Sequence, residues 1–279
     1  MLLPRALLVP HLPTLVLDQH RGHDTAMLRA FAAAAARLAE GRPEVVVALS
    51  ARWDAAGPFR VDDGRRHRTL TDYPGLGVEV RYDCDGHPAV ARALIEGGVA
   101  ARLPVGGQQR GVDSGITVPM HLLAPARDVP VVPLSLPART PEECRAWGAV
   151  IRRVLAARPE RAAFVVSGLL SANLHAWGLK REVVETAELD RLALQALTRG
   201  AFERLAGLPA ELLERAQPEA ALRHLQVLRG FLGEGRAGEV LCYEDGPGVG
   251  SALVEFTLES PAPDEAAPTP AGPAHGGGG

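Results

Sequence analysis

The sequence predicts an α/β fold: one domain in which a central mixed, largely parallel sheet is flanked by helices. Three observations predict it. Continuous β-branched runs at Glu44–Ser50, Val129–Leu136 and Ala162–Ser167 read as strands buried on both faces. Segments of helical periodicity alternate with them. Gly and Pro punctuate the junctions, as at Gly41-Arg42-Pro43.

In chain order, Ala6–Val9 reads as a short buried strand, followed by a loop carrying His11. Asp24–Ala39 has helical periodicity and ends at the Gly-then-Pro stop. Residues 54–87 are polar and read as a long loop with short strand content. Pro88–Gly97 reads as a helix. Asp113-Ser114-Gly115 reads as a turn in which Asp113 caps local backbone and Gly115 supplies an unusual φ. Thr140, Pro141 and Glu143 form the signature of a capping box, opening a helix that runs to about Ala157. Helices dominate from Val183 to Leu232. Glu239–Tyr243 and Ala252–Leu258 are closing strands, joined by a Gly-rich turn at 246–250. The domain spans residues 1–259. Residues 260–279, rich in Pro, Ala and Gly, bury no apolar area and are expected to be disordered.

Composition narrows the function. The chain has 279 residues, 47% of them hydrophobic, enough for one large core. Only 4% are aromatic, so Ala, Leu and Val must fill that core. Net charge is −3, which gives no electrostatic footprint for nucleic acid. No apolar run approaches the roughly 20 residues that span a bilayer, and the N-terminus makes a poor signal peptide. Three widely spaced cysteines, Cys84, Cys144 and Cys242, support neither a zinc ribbon nor a disulfide framework. A reducing cytoplasm is expected. Arg outnumbers Lys and Ala is abundant, as in a high-GC bacterial genome. There is no nucleophile elbow and no P-loop.

In open α/β sheets the loops after the carboxyl ends of strands are the default site. Four such loops carry candidates. The first holds His11 between Pro10 and Pro13. The second is Ser50-Ala51-Arg52-Trp53, whose Arg52 suits a carboxylate or phosphate clamp, or a salt bridge to Asp54. The third carries Asp113 and Ser114. The fourth runs from Ser167 to His175 and offers Ser171, Asn173 and His175, the last equally a hydrogen-bonded structural histidine.

These four loops, in this order, resemble the class III (LigB-type) extradiol ring-cleavage dioxygenases over about residues 5–258. His11-Leu12-Pro13 is similar to the family's His-x-Pro after its first strand. Where relatives read Ser-Ala-His-Trp, with an iron-binding His, this chain has Arg52. The Asp-His-Gly motif becomes Asp113-Ser114-Gly115. The Leu-Ser-His motif, with the acid/base His, becomes Leu170-Ser171-Ala172. The family's carboxylate ligand lies shortly before a run similar to Arg229-Gly230-Phe231-Leu232, with Glu219 or Ala221 at its position.

The resemblance implies ferrous iron held by two His and one carboxylate. Arg52 has no lone pair to give a metal and stays charged. Two unit positive charges 4 Å apart repel by roughly 4 kcal/mol at an effective dielectric of 20, and a divalent ion doubles that. Loss of the acid/base His removes a further factor of about 10² to 10⁴. The expectation is a LigB-like protein without a cofactor: a non-catalytic subunit beside a catalytic paralogue, a homodimer, or a binder of a small anionic or aromatic molecule through His11, Arg52, Ser114 and Asn173. One alternative is an active Fe(II) dioxygenase on a catecholic substrate, with ligands drawn from His11, His67, His175 and Glu219. A second is a Memo-like interaction protein.

Overall fold

A computed structural model describes residues 1–72 and 80–258. The expectation for residues 260–279 lies outside them. The strands are β1 (Leu2–Val9), β2 (Val45–Ser50), β3 (Phe59–Val61), β4 (Arg66–His67), β5 (Cys84–Asp85), β6 (Val105–Gly107), β7 (Val131–Leu134), β8 (Ala162–Ser167), β9 (Glu239–Gly246) and β10 (Val249–Thr257). The α-helices are α1 (Thr14–His20), α2 (Ala26–Glu40), α3 (Pro88–Ala100), α4 (Ser114–Leu123), α5 (Pro141–Ala156), α6 (Leu174–Gly178), α7 (Val184–Arg199), α8 (Ala210–Ala216) and α9 (Arg223–Leu232). Short 3₁₀ turns occupy Phe202–Gly207 and Glu219–Leu222.

Eight strands form one sheet in the order β6-β3-β7-β2-β8-β1-β10-β9. The β7-β2-β8-β1 centre is parallel, whereas β10 and β9 add antiparallel at one edge. This is the expected mixed, largely parallel sheet. Every residue of β2, β7 and β8 is buried, as their unbroken apolar runs require when helices cover both faces. One face packs Phe31 of α2 and Ile116 and Met120 of α4. The other packs Trp147 of α5, Leu189 of α7 and Phe231 of α9. α5 carries the expected capping box: Thr140 Oγ1 accepts from Glu143 N at 3.2 Å, and Glu143 Oε2 accepts from Thr140 N at 3.0 Å. α5 and α9 cross in close contact. A Cβ on Gly148 would stand 1.9 Å from Val227 O, and one on Gly230 would stand 1.9 Å from Arg145 O. The glycine of the Arg229-Gly230-Phe231-Leu232 run is therefore a packing residue that sets the position of α9.

The loop after β1 carries His11 as expected and leads into a helix, α1, and β6 is a strand at the far edge of the sheet where no element was read. One expectation needs correction. Asp113-Ser114-Gly115 is the start of α4, not an isolated turn. Ile116, Thr117, Val118 and Pro119 are all poor helix formers. Yet every residue of α4 except His121 is buried, so tertiary burial overrides local preference. Gly115 has no positive φ. Its glycine is needed for contact, because a Cβ there would lie 2.1 Å from Ser50 Oγ.

Candidate functional site

The carboxyl ends of β1, β2 and β8 open into a cleft of about 250 Å³ that includes His11, Arg52, Asp72, Ser114, Ala172 and Glu219 in its lining. His11 follows β1 and is held at the floor by the prolines beside it, with only 4% of its surface exposed. Its Nε2 lies 3.3 Å from Glu219 Oε1. The other oxygen of Glu219 accepts the backbone N–H of Leu169, just after β8. Glu219 is placed there by strand-like pairing: its own N–H donates to Leu170 O at 3.1 Å, and Pro218 bridges Ser171. Burial by itself would push its carboxyl up. The charge and hydrogen bond of His11, with the Leu169 N–H, outweigh that and hold it below the ordinary carboxylate value.

The chain leaves Glu219 through three consecutive left-handed residues, Ala220, Ala221 and Leu222, with φ of 48, 50 and 58°. Such residues cost about 1–2 kcal/mol each, and strain of this kind collects at functional sites. The consequence is geometric. Glu219 lines the cleft, Ala221 is exposed, and α9 starts at Arg223 with the fully buried His224 next along it. Of the two candidates for the carboxylate position, Glu219 is therefore the one in the cleft.

His224 was not among the candidates read from the sequence. It is fully buried, its ring has no side-chain hydrogen-bond partner among the described residues, and desolvation lowers its pKa to about 4 even though the charge and backbone of nearby Glu219 act to raise it. The ring packs on the turn after β8 so tightly that a Cβ on Gly168 would meet its Cδ2 at 2.5 Å. The available signal was its place five residues past Glu219, on the helix whose register Gly230 sets.

Arg52 stands at the opposite wall. Its Nε lies 3.5 Å from Asp72 Oδ2, a residue also missed because it sits in the long polar loop. Ser114 completes this group. Its N–H donates to Asp72 Oδ1 at 3.0 Å and its Oγ donates to Asp72 Oδ2 at 2.8 Å. Ser114 is the first residue of the ten-residue helix α4, so the carboxylate sits at a positive helix terminus as well. A guanidinium, a backbone N–H and a hydroxyl thus converge on one carboxylate.

The remaining candidates serve other purposes. Asp113 is buried behind the cleft, where its two oxygens accept from Ser50 Oγ at 2.7 Å and Arg110 Nη1 at 2.6 Å. It is a bracket between β2 and α4 rather than the turn cap expected. Ser171 donates through N–H and Oγ, both at 2.9 Å, to Asp190, which also accepts from Tyr243. Burial raises the Asp190 carboxyl to about 6 despite those bonds. Asn173 caps α6 through Oδ1 and donates through Nδ2 to Arg215 O, so its amide is engaged by the backbone instead of facing a ligand. His175 is exposed on α6. His67 is buried far along the chain's polar loop, with Nε2 3.0 Å from Val131 O and Nδ1 3.3 Å from Asp62. Ala172 does line the cleft, and at that place it contributes only a methyl group.

The family resemblance implies iron held by two His and one carboxylate. Two oxygens of Glu219 are already engaged, Arg52 offers no lone pair, and His67 and His175 lie elsewhere. Among the described residues, no group of three or more His, Cys, Asp or Glu side chains is placed to hold a metal ion. His11, Glu219 and His224 are by type two imidazoles and a carboxylate close to one another, but as arranged both oxygens of Glu219 are engaged, by His11 and the Leu169 N–H.

The chain is 30% identical over 165 residues to a dioxygenase, tasH, of Hapsidospora irregularis, covering 57% of this chain and 50% of that protein. It is 32% identical over 139 residues to the 4,5-DOPA dioxygenase extradiol of Escherichia coli K12, covering 48% and 49%. These matches span about half the length of each relative. The crystal structure of an uncharacterized protein of Escherichia coli K12, JW3007, superposes with a TM-score of 0.67 over 91% of this chain and 99% of that one, at 20% identity, a likeness of fold. No helix among the described residues is long and apolar enough to cross a membrane. The family model for the catalytic LigB subunit of aromatic ring-opening dioxygenases matches residues 5–254, and the chain belongs to the LigB family of class III extradiol dioxygenases.

Proposed function

We propose that this LigB-family chain binds a small carboxylate-bearing molecule in the cleft and does not itself open an aromatic ring. One observation carries the reading: Arg52 Nε, Ser114 N–H and Ser114 Oγ already hold a carboxylate, that of Asp72. A ligand carboxylate in the same seat takes those three donors and displaces Asp72. Because the ligand exchanges one carboxylate for another on these donors, they set its orientation, and net affinity comes from burying its apolar body. Leu12, Leu169, Leu174 and Trp177 wall the cleft and suit an aromatic or apolar body. Where the resemblance implies an acid/base histidine, Ala172 has no proton to move. Such a binder acts alone or as the non-catalytic partner of a ligand-bearing paralogue.

The test is protocatechuate binding by calorimetry to EDTA-treated protein, with elemental analysis of protein purified anaerobically. Metal-independent binding that weakens tenfold or more in Arg52→Ala supports the reading. Near-stoichiometric Fe(II) with oxygen uptake on a catechol overturns it.

A second reading has one observation in its favour. His11, Glu219 and His224 are, by type, two imidazoles and a carboxylate; both histidines are buried and the Glu219 side chain is only 10% exposed. A metal held by them requires Glu219 to leave His11. The same elemental analysis decides between the readings.

A further inference from the structure

The opposite end of the sheet holds a second cavity. About 20 Å of strand separates Leu3 from Val9, and so separates this region from the cleft. Between β1, β8 and the second half of α2 lies a cavity of about 200 Å³. Two features of the sequence open it. Pro4 has no N–H to give a ladder, and the β1–β8 pairing is irregular between Leu2 and Ala6. α2 presents Ala34 to the sheet and β8 answers with Ala163, side chains too short to fill the space between helix and sheet. Leu3, Leu7, Leu38 and Val165 complete apolar walls.

The charges of the lining balance: Arg5 and Arg37 share it with Glu40 and Glu255. Arg37 Nε lies 3.1 Å from Glu255 Oε2, while Arg5 Nη1 lies 3.8 Å from Oε1, beyond hydrogen-bond reach. What the balance leaves over is hydrogen-bond donors. Arg5 Nη1 and Arg37 Nη2 are both buried without a partner among the described residues, whereas buried donors of this kind are normally satisfied. An occupant that fits is therefore neutral, with acceptor oxygens on an apolar body.

The chain carries such a segment at this place. Thr257 of β10 pairs with Arg5, and Leu258 donates its N–H to Pro4 O at 2.7 Å. Pro4 and Arg5 both line the cavity, so residue 259 onward leaves the domain at its rim. The next residues are Glu259-Ser260-Pro261-Ala262-Pro263-Asp264. A Pro-x-Pro run favours the polyproline II conformation, whose carbonyls have no internal partner and whose ordering costs little. A short tether also holds the run at a high effective concentration, on the order of millimolar, so weak contacts suffice.

We propose that Pro261-Ala262-Pro263 docks in this cavity as a strap across β1 and α2. Its carbonyls accept the open N–H groups of Arg5 and Arg37. Its small apolar side chains fill the space that Ala34 and Ala163 leave. Glu259 and Asp264 flank the run and stay at the mouth in water, since the lining charges are already matched. The disorder expected of residues 260–279 then begins only after Pro263. The site is independent of the cleft and of the function proposed for it.

The test is the ¹⁵N heteronuclear NOE of the Ser260 and Ala262 amides in the full chain, which reads motion on the picosecond-to-nanosecond scale. It is recorded at two protein concentrations about tenfold apart. The expected result is that both amides are as rigid as those of β10 at either concentration, while Gly276–Gly279 are flexible. Ala34→Leu fills the cavity and Ala262→Asp puts a charge into it. Each should lose the rigidity of Ser260 and bring it to the level of Gly276–Gly279. Ser260 and Ala262 at that level in the parent protein overturn the proposal, as does rigidity that survives both substitutions. Rigidity seen only at the higher concentration gives the cavity to the same segment of a second copy and also overturns it. Thermal melts check that Ala34→Leu folds. Should it not, Ala262→Asp, which changes no residue of the cavity lining, decides the matter.

Discussion

His11 Nε2 lies 3.3 Å from Glu219 Oε1, joining the loop after the first strand to the strained turn before the last helix. The side chains are 5% and 10% exposed, and the Leu169 N–H holds the second carboxylate oxygen. A carboxylate fixed from both sides is an organised floor for the cleft. It also leaves Glu219 no oxygen free in this arrangement, which is why the cleft's open binding capacity falls to the Arg52 and Ser114 wall.

Replacing Arg52 with His tests what that wall excludes. The change restores an imidazole lone pair and removes a cation from the cleft that His11 and Glu219 also line. Arg52→His is expected to bind Co(II) at close to one per chain, read from visible absorption, where the parent protein binds at least tenfold more weakly. Equal binding by the two proteins would show that Arg52 is not the excluding group.

His224 makes the protein sensitive to acid. Desolvation lowers its pKa from 6.5 to about 4. The unfolded chain takes up this proton between those values while the folded chain refuses it, so stability falls as pH drops through that window. His224→Phe keeps a ring of similar size and removes the titration. Urea unfolding at pH 7.5 and 4.5 should show the parent losing on the order of 2–3 kcal/mol more than the variant. Asp190 titrates the other way: its raised pKa, about 6, makes stability fall as pH rises from 3.8 through 6. That contribution is common to both proteins and cancels. An equal pH response in the two would remove His224 as the cause.

Asp62 holds the approach to α4. Its carboxylate accepts N–H bonds from Gly64 at 3.0 Å and from Arg110 and Gly111 at 2.8 Å each, with His67 beside it. Burial would raise its pKa, but His67 and the three N–H groups bring it below the ordinary value. Its stabilisation is therefore present above pH 3.8 and lost as pH falls through the lower, folded value. Asp62→Asn turns one acceptor into a donor facing those N–H groups. The expected loss is about 2–4 kcal/mol at pH 7, read as a lower urea midpoint. A change under 0.5 kcal/mol would contradict the role assigned to Asp62.

Gly115 and Ser50 should behave as one unit. Gly115→Ala places a methyl 2.1 Å from Ser50 Oγ, where Ser50 also donates to Asp113. Destabilisation of about 1–3 kcal/mol is expected from such overpacking. Ser50→Ala removes the oxygen in the way, so the double variant should be more stable than the sum of the single effects predicts. Additive values from the double-mutant cycle would show that the two side chains do not compete for this space.

Much of the architecture was legible in the sequence. Unbroken β-branched runs could only be strands covered on both faces, and β2 and β8 lie within one residue of where those runs place them. Thr140, Pro141 and Glu143 marked the head of α5 because a capping box is a local device. α4 was not legible, because Pro119 and three β-branched residues argue against a helix and only burial of nearly the whole segment favours one. His11, Arg52 and Ser114 were readable as strand-end residues. Asp72, in a polar loop without periodicity, and His224, on a helix with no motif of its own, were not.

The sequence by itself determined the residue types that reach the cleft: an arginine, a serine and an alanine where the resemblance implies imidazoles. It also determined the strands that carry them, since both follow from local spacing. Tertiary structure decided which groups meet. Glu219 was selected over Ala221 by three left-handed residues and a pairing with Leu170. Asn173 and Asp113 were withdrawn from the cleft by backbone and side-chain partners. Asp72 was brought to Arg52 across a long loop. Local propensity acts over a few residues, whereas these contacts join segments distant in the chain and form only when burial makes every polar group find a partner.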